Sequence, residues 1–251
     1  MENQSLVSVI MPCYNMERYI AETIASVQRQ TYSNWELLIV DDASTDHTAD
    51  LVKKLQNEDD RIQFHVKPKH SGIADTRNQC LSMVQGRFLA FLDADDVWHP
   101  NKLERQLAFM MEHNIGFSYS SYDCIDDDGR PLEKTVKAIM NLNHDAYMHN
   151  TIIGCSTVMI DKTIIGEVVV PYFRTSEDTA TWLNILKKGY LAHAIGEPLT
   201  SYRIRQHSAS SNKLKASYDL WKVYRQQEKL PLFEALGCFV SYAFHAIKKR
   251  L

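Results

Sequence analysis

The chain has 251 residues, 45% of them hydrophobic and 24% charged, with a formal net charge of −3 at pH 7. That is ordinary globular composition, enough for one large α/β domain or two small lobes, and it lacks the basic excess of a general nucleic-acid binder. The five cysteines (Cys13, Cys80, Cys124, Cys155 and Cys238) are scattered, with no CxxC pair, so neither a disulfide framework nor a zinc site is indicated and a reducing cytoplasm fits. The N-terminus MENQSLVSVIMP has neither a basic start nor a long apolar run, so no signal peptide is expected. No stretch of about 18 or more apolar residues predicts a spanning helix.

In chain order, LVSVIMP (Leu6 to Pro12) is a short β-branched run closed by proline and predicts a buried strand. MERYIAETIASVQRQT follows, with Tyr19, Ile20, Ile24 and Val27 at helical spacing. WELLIVDDAS (Trp35 to Ser44) predicts a second strand ending in acid, and Thr45-Asp46-His47-Thr48 opens a second amphipathic helix. RIQFHVKP predicts a third strand, SGIADTRNQCLSMVQG a third helix with Gly86 as its stop, and RFLAFLDADD a fourth strand. Alternation at these lengths implies a parallel sheet with right-handed crossovers, whose ligands bind at the carboxyl ends of the strands. Three such ends carry function-capable residues: Pro12-Cys13-Tyr14-Asn15, Asp41-Asp42 and Asp93-Ala94-Asp95-Asp96.

The second half is less regular. NKLERQLAFMMEHN predicts an amphipathic helix with Asn101 or Asp96 near its cap, GFSYSSYDCIDDDGRPL a strand with an Asp-Gly turn and a hairpin, and TVMIDK a strand. SEDTATWLNILKKGY predicts a helix capped by Ser176, with acids in its first turn and Lys187-Lys188-Gly189 at its end. Lys134 to His149 follows neither period, and no internal repeat is visible. A seam falls near Asp96, between a nucleotide-type half and a more variable one.

Asp93, Asp95 and Asp96 crowd the end of an apolar run. Two carboxylates about 4 Å apart repel by roughly 4 kcal/mol at an effective dielectric of about 20. A solvated turn whose last aspartate caps the next helix is one reading. A Ca²⁺ loop is a second, against which stand the missing ring of ligands and terminal glutamate of an EF-hand. The third is Mg²⁺ or Mn²⁺, held by one or two carboxylates together with a diphosphate.

VSVIMPCYN, WELLIVDDASTD, SGIADTRN and LDADD, in this order and at this spacing, resemble the family 2 glycosyltransferases, inverting enzymes that bind nucleotide sugars. The resemblance covers the first half and returns in patches. It implies an α/β GT-A fold: a Rossmann-like, mostly parallel central sheet flanked by helices, then a C-terminal helical tail. It implies Pro12 and Tyr14 against the nucleotide base, Asn15 shaping the turn, and Asp42 accepting from a base N–H, of uracil, with Asp41 as the substitute. It implies Arg77 at the diphosphate or ribose, Asp93 and Ala94 near ribose and metal, and Asp95 with Asp96 on the metal. Glu177-Asp178 matches the family's acidic pair at the head of a helix. Asp178 would take the proton of the acceptor hydroxyl, and Glu177 would contact the acceptor or the helix end. Plain structural alternatives stand beside these roles: a capping turn at Asp41-Asp42, an exposed helical arginine at Arg77, and ordinary first-turn acids at Glu177-Asp178.

SYRIRQHSASS (Ser201 to Ser211) resembles the family's loop that closes over the diphosphate. Many relatives carry histidine where Arg205 stands. Arginine cannot ligate a metal but binds phosphate bidentately, and His207 is the alternative ligand. The tail LPLFEALGCFVSYAFHAIKKRL is a basic amphipathic helix, suited to a membrane interface or to packing on the catalytic domain or a dimer partner. DLWKVYRQQEKLPL resembles bacterial transferases of capsule, O-antigen or teichuronic acid assembly.

The expected organisation is a nucleotide-sugar-binding half (1–97), an acceptor-binding and catalytic half (98–205), and a closing loop with helical tail (206–251). The expected activity is metal-assisted transfer, with inversion, from a UDP-linked sugar to a hydroxyl of a glycan or lipid-carrier-linked acceptor. Its expected place is the cytoplasm or the inner face of the plasma membrane, with no nucleic acid partner. A sugar-phosphate nucleotidyltransferase is the second reading, but MPCYNMERY lacks the G-x-G-T-R such enzymes carry. A non-catalytic binding module is the third, and retention of both DADD and Glu177-Asp178 argues against it.

Overall fold

The computed structural model describes residues 5–138, 140–205 and 213–248. Strands β1 (Val7–Cys13), β2 (Trp35–Asp41), β3 (Ile62–Val66) and β4 (Phe88–Phe91) pair in parallel in the order β3-β2-β1-β4. Every position of β1, β2 and β4 is buried, so these strands read as continuous apolar runs rather than alternating ones. Helices α1 (Ile20–Gln28), α2 (Thr48–Gln56) and α3 (Ile73–Ser82) link them. Side chains alternate between two cores. Val9, Met11, Leu37 and Ile39 meet Ile20, Ile24 and Val27 of α1, while Ile10, Leu38 and Val40 share the other core with Cys80 of α3.

Beyond β4 the sheet continues antiparallel into β8 (Val158–Asp161) and then β6 (Phe117–Ile125). Strand β9 (His193–Arg203) runs parallel to β6, and the two-residue β5 (Val97–Trp98) borders it. β7 (Pro131–Val136) forms the expected hairpin with β6 across the Asp-Gly turn. The β4–β8 pairing carries one sheet through the seam near Asp96. Helices α4 (Lys102–Glu112), α5 (His144–His149), α6 (Lys162–Ile165), α7 (Glu177–Leu186), α8 (Lys213–Lys222) and α9 (Leu232–Lys248) cover the second half. The segment without a readable period holds the end of β7 and α5, whose Asn143 cap accepts from the Ala146 N–H.

Several local expectations change. β4 stops at Phe91, so the acidic turn lies outside the strand. Asn101 and Ser176 occupy N-cap positions without a side-chain cap bond. α3 ends at Ser82, so Gly86 is not its stop. Gly86 answers to close packing instead: a Cβ there would lie 2.5 Å from the Leu6 carbonyl oxygen and 2.7 Å from Ser8 Oγ. The tail helix α9 packs one side on the body through Ala235 and Cys238, with Phe239 edge-on to Trp221. It leaves Leu232, Phe233, Leu236, Val240 and Phe244 exposed. Among the described residues no helix is long and apolar enough to cross a membrane.

Gly86→Ala is expected to destabilise the fold by about 2 kcal/mol, the usual scale of overpacking against backbone. The check is the denaturation midpoint; an unchanged midpoint would remove the packing explanation for this glycine.

Candidate active site

The rim at the carboxyl ends of β1 and β2 is tied by short polar links. Asn15 takes a left-handed conformation (φ 52°); its N–H donates to Ser44 Oγ at 2.8 Å, and its Oδ1 accepts from the Thr45 N–H at 2.8 Å. Pro12 is buried in β1 opposite Val40. Asp41 turns inward, accepting from the Ser44 N–H, the Ser44 hydroxyl and Cys13 Sγ, so it shapes the turn. Asp42 faces the loop after β3. Lys67 Nζ and His70 Nδ1 each lie 2.9 Å from its carboxylate, and the Ser71 and Gly72 N–H groups donate to it at 2.9 and 2.8 Å. Burial works against its charge, but Lys67 and the two N–H groups outweigh burial and hold the carboxyl below its usual range. The Tyr14 ring lies 4.4 Å from the His70 ring, and both residues are exposed. A base donating to Asp42 would displace the His70 contact and meet this aromatic pair.

The acidic turn is anchored from three elements. Asp96 is buried, and both its oxygens accept internal bonds, from Ser156 Oγ at 2.5 Å and from the Arg203 N–H at 2.9 Å. Burial, reinforced by the charges of Asp95 and Asp93, pushes its pKa well up. Asp96 therefore holds the turn in place: it neither caps α4 nor offers a free oxygen to a metal. The same Ser156 Oγ accepts from the Asp93 N–H at 3.0 Å, and Arg203 Nε donates to the Asp95 carbonyl at 2.8 Å. Ala94 is buried, its carbonyl accepting from Thr23 Oγ1.

That leaves Asp93 and Asp95 as the acids of the turn that keep part of their surface exposed. Asp95 Oδ2 lies 2.6 Å from Arg205 Nε, whose guanidinium sits 5.2 Å from the centre of the Tyr19 ring. Burial raises the Asp95 pKa while Arg205 draws it down and Asp93 adds to the rise. Asp93 Oδ1 accepts from Arg77 Nη2 at 2.8 Å. Arg77 is not the exposed helical arginine of the plain reading. It is 3% exposed, and its Nη1 donates to Glu177 Oε1 at 2.9 Å. The acidic turn and the head of α7 thus meet at one guanidinium.

Asp178, beside Glu177, keeps part of its surface accessible, and its Oδ1 accepts from the Thr179 N–H at 2.6 Å. Burial raises its pKa, opposed by Arg77 and the Thr179 N–H and reinforced by Asp93. Glu177 is pushed up to about 7, first by burial, with Arg77 pulling the other way. A carboxylate base with an elevated pKa accepts a proton more readily near neutral pH. Trp182, one turn on, packs edge-on to Phe91 in the core. Two cavities of about 270 and 250 Å³ lie apart from these acids, one beside α5 and α9 and the other against Thr181 and Ile185 of α7.

Among the described residues no three His, Cys, Asp or Glu side chains gather into a metal cage. Asp93 and Asp95 nonetheless suit a hard divalent cation. Each is a carboxylate already drawing an internal cation, and Mg²⁺ or Mn²⁺ completes its shell with phosphate oxygens rather than protein ligands. His207 lies outside the described residues. The sequence reading missed Lys67, His70, Ser156 and Arg203. Lys67 and His70 left a signal, a basic K-P-K-H run just after a strand beside an acidic rim; Ser156 left none.

The family model for glycosyl transferase family 2 matches residues 8–166. TuaG of Bacillus subtilis (strain 168), named as a teichuronic acid biosynthesis glycosyltransferase, is 48% identical over 98% of both chains. WfgD of Escherichia coli, a UDP-Glc:alpha-D-GlcNAc-diphosphoundecaprenol beta-1,3-glucosyltransferase, is 38% identical over 97% of this chain and 94% of its own. Among solved structures, S. aureus TarS 1-349 in complex with UDP-GlcNAc has a similar fold, with TM-score 0.70 and 22% identity, over 87% of this chain and 64% of that one. So does the mannosyltransferase PcManGT of Pyrobaculum calidifontis in complex with GDP-Man and Mn²⁺, with TM-score 0.71 and 17% identity, over 95% and 70%. With a family match across more than half of its length and a relative at 48% identity from end to end, this chain belongs to glycosyl transferase family 2 and is a glycosyltransferase of the GT-A fold.

Proposed function

We propose that the enzyme moves a sugar from a UDP-linked donor to a hydroxyl of a lipid-carrier-linked glycan during bacterial surface polysaccharide assembly, with inversion at the anomeric carbon. The observation that carries this reading is the convergence of the acidic turn and the Glu177-Asp178 pair on Arg77. The names of the similar TuaG and WfgD support the pathway and the acceptor class. Tyr14 and Asp42 would receive the base, and Arg205, released from Asp95, would turn its guanidinium to the diphosphate. Asp93 and Asp95 would hold a divalent cation, which when bound neutralises charge on the leaving diphosphate. Asp178 takes the proton of the acceptor hydroxyl. The hydroxyl oxygen bonds to the anomeric carbon as the bond to the diphosphate breaks, and one displacement gives one inversion.

Asp178→Asn is expected to lower transfer by roughly 100-fold or more, the usual worth of a general base, while UDP affinity by calorimetry stays near wild type. Because burial raises Asp178 and Glu177, wild-type transfer should climb with pH through a midpoint above the ordinary carboxylate range. The product anomer, read by NMR, should be opposite to the donor's; retention, or full activity in Asp178→Asn, overturns the assignment.

Asp95→Asn is expected to abolish the part of the UDP-induced rise in melting temperature that depends on Mn²⁺, since a ligand stabilises only to the extent that it binds. A Mn²⁺-dependent rise that persists in this variant would move the cation elsewhere.

The exposed apolar side of α9 suits shallow seating in a bilayer, with Lys248 as its last residue and Lys249 and Arg250 next in the sequence. Phe233→Glu with Phe244→Glu should release the enzyme from anionic vesicles in co-sedimentation. A dimer in sedimentation velocity that the same changes dissociate would instead give this face to a second copy.

A further inference from the structure

Arg77 is placed poorly for the diphosphate contact that its motif implies. It sits on the buried side of α3, 3% exposed, with one Nη committed to each of two carboxylates from separate elements: Asp93 of the turn after β4, and Glu177 at the first position of α7. Its Nε is buried and has no hydrogen-bond partner among the described residues. A phosphate ligand must be reachable from solvent, and at 3% exposure this side chain is not. Burying a guanidinium carries a heavy desolvation penalty that only close carboxylates offset. Here three of them, Asp93, Glu177 and Asp178, act on it, with the Cys155 thiol alongside. The fold thus retains a buried cation at the one point where donor-side and acceptor-side acids adjoin.

We propose that Arg77 is a positioning residue: its two-pronged guanidinium clamps the head of α7 to the acidic turn, and so fixes Asp178 relative to the donor's anomeric carbon. The proposal rests on the reading of Asp178 as base. α7 has no side-chain cap from Ser176 to hold its first turn, so the Arg77–Glu177 contact supplies a tie that capping does not. A planar fork spans two acids on different elements, whereas a lysine ammonium is a single point charge on a flexible stem. Misplacement of a reacting group by about 1 Å can cost roughly 100-fold in rate. The signature of a clamp is therefore loss of turnover without loss of donor affinity.

The experiment compares Arg77→Lys, Arg77→Met and the double variant Arg77→Met with Glu177→Gln. Each is assayed for folding by melting temperature, for UDP affinity by calorimetry, and for kcat and donor KM in transfer. The clamp predicts that Arg77→Lys stays folded, binds UDP within about threefold of wild type, and loses roughly 100-fold in kcat. Arg77→Met should melt early because it strands two carboxylates, and the added Glu177→Gln should recover part of that loss without restoring turnover. A tenfold or greater weakening of UDP binding by Arg77→Lys with kcat preserved would make Arg77 a diphosphate ligand and overturn the proposal. Wild-type kcat and KM in Arg77→Lys would overturn it as well, leaving only a need for positive charge. Asp178→Asn distinguishes the two levels of the reading. If that variant is dead while Arg77→Lys is fully active, the clamp alone fails; if it is active while Arg77→Lys is dead, the base assignment fails and takes the clamp with it.

Discussion

Two arginines answer the charge of the acidic turn and of the head of α7: Arg77 joins Asp93 to Glu177, and Arg205 pairs with Asp95. Two carboxylates about 4 Å apart repel by roughly 4 kcal/mol at an effective dielectric of about 20, a repulsion that internal cations offset. The two arginines solve this differently. Arg77 is buried and bound on both prongs, a permanent part of the wall. Arg205 lies two residues past the end of β9 and pairs with Asp95 through its Nε. Only the second, in the proposed function, is exchanged when the donor binds.

The turn itself depends on a less visible acid. Asp96 spends both oxygens on Ser156 and Arg203, and the same serine hydroxyl receives the Asp93 N–H. Arg203 also reaches the Asp95 carbonyl and, at 2.6 Å, Glu22 of α1. Three elements thereby set the direction of Asp93 and Asp95. The third aspartate of the turn is anchorage, which explains how three acids persist within four residues while only two keep exposed surface.

Much of the first half was legible because its strands are buried on both faces. Continuous apolar runs broken by polar turns leave little choice of element, and β1, β2 and β4 lie where those runs predict. The acids at the strand ends were legible for the same reason: charge at the end of a buried strand must point to the rim. The acidic turn and the Glu177-Asp178 pair are joined by the arginine that Asp93 and Glu177 share, which spacing along the chain could not supply. Gly86 was misread, because a glycine after a helix resembles a stop until the partner that occupies the space is known. For Arg77 the structure removes the plain alternative of an exposed helical arginine.

Composition, alternation and motif order by themselves determined the class of fold, the rim that carries the site and the identity of its acids, because each is written in local patterns of a few to some twenty residues. Tertiary structure alone decided which partners those acids meet. The donors reach them from far along the chain: Ser156 is 60 residues from Asp96, and Arg77 is 100 from Glu177. No local pattern encodes a hydrogen bond across that separation. The packing of β4 against β8, and of α3 against the head of α7, creates it.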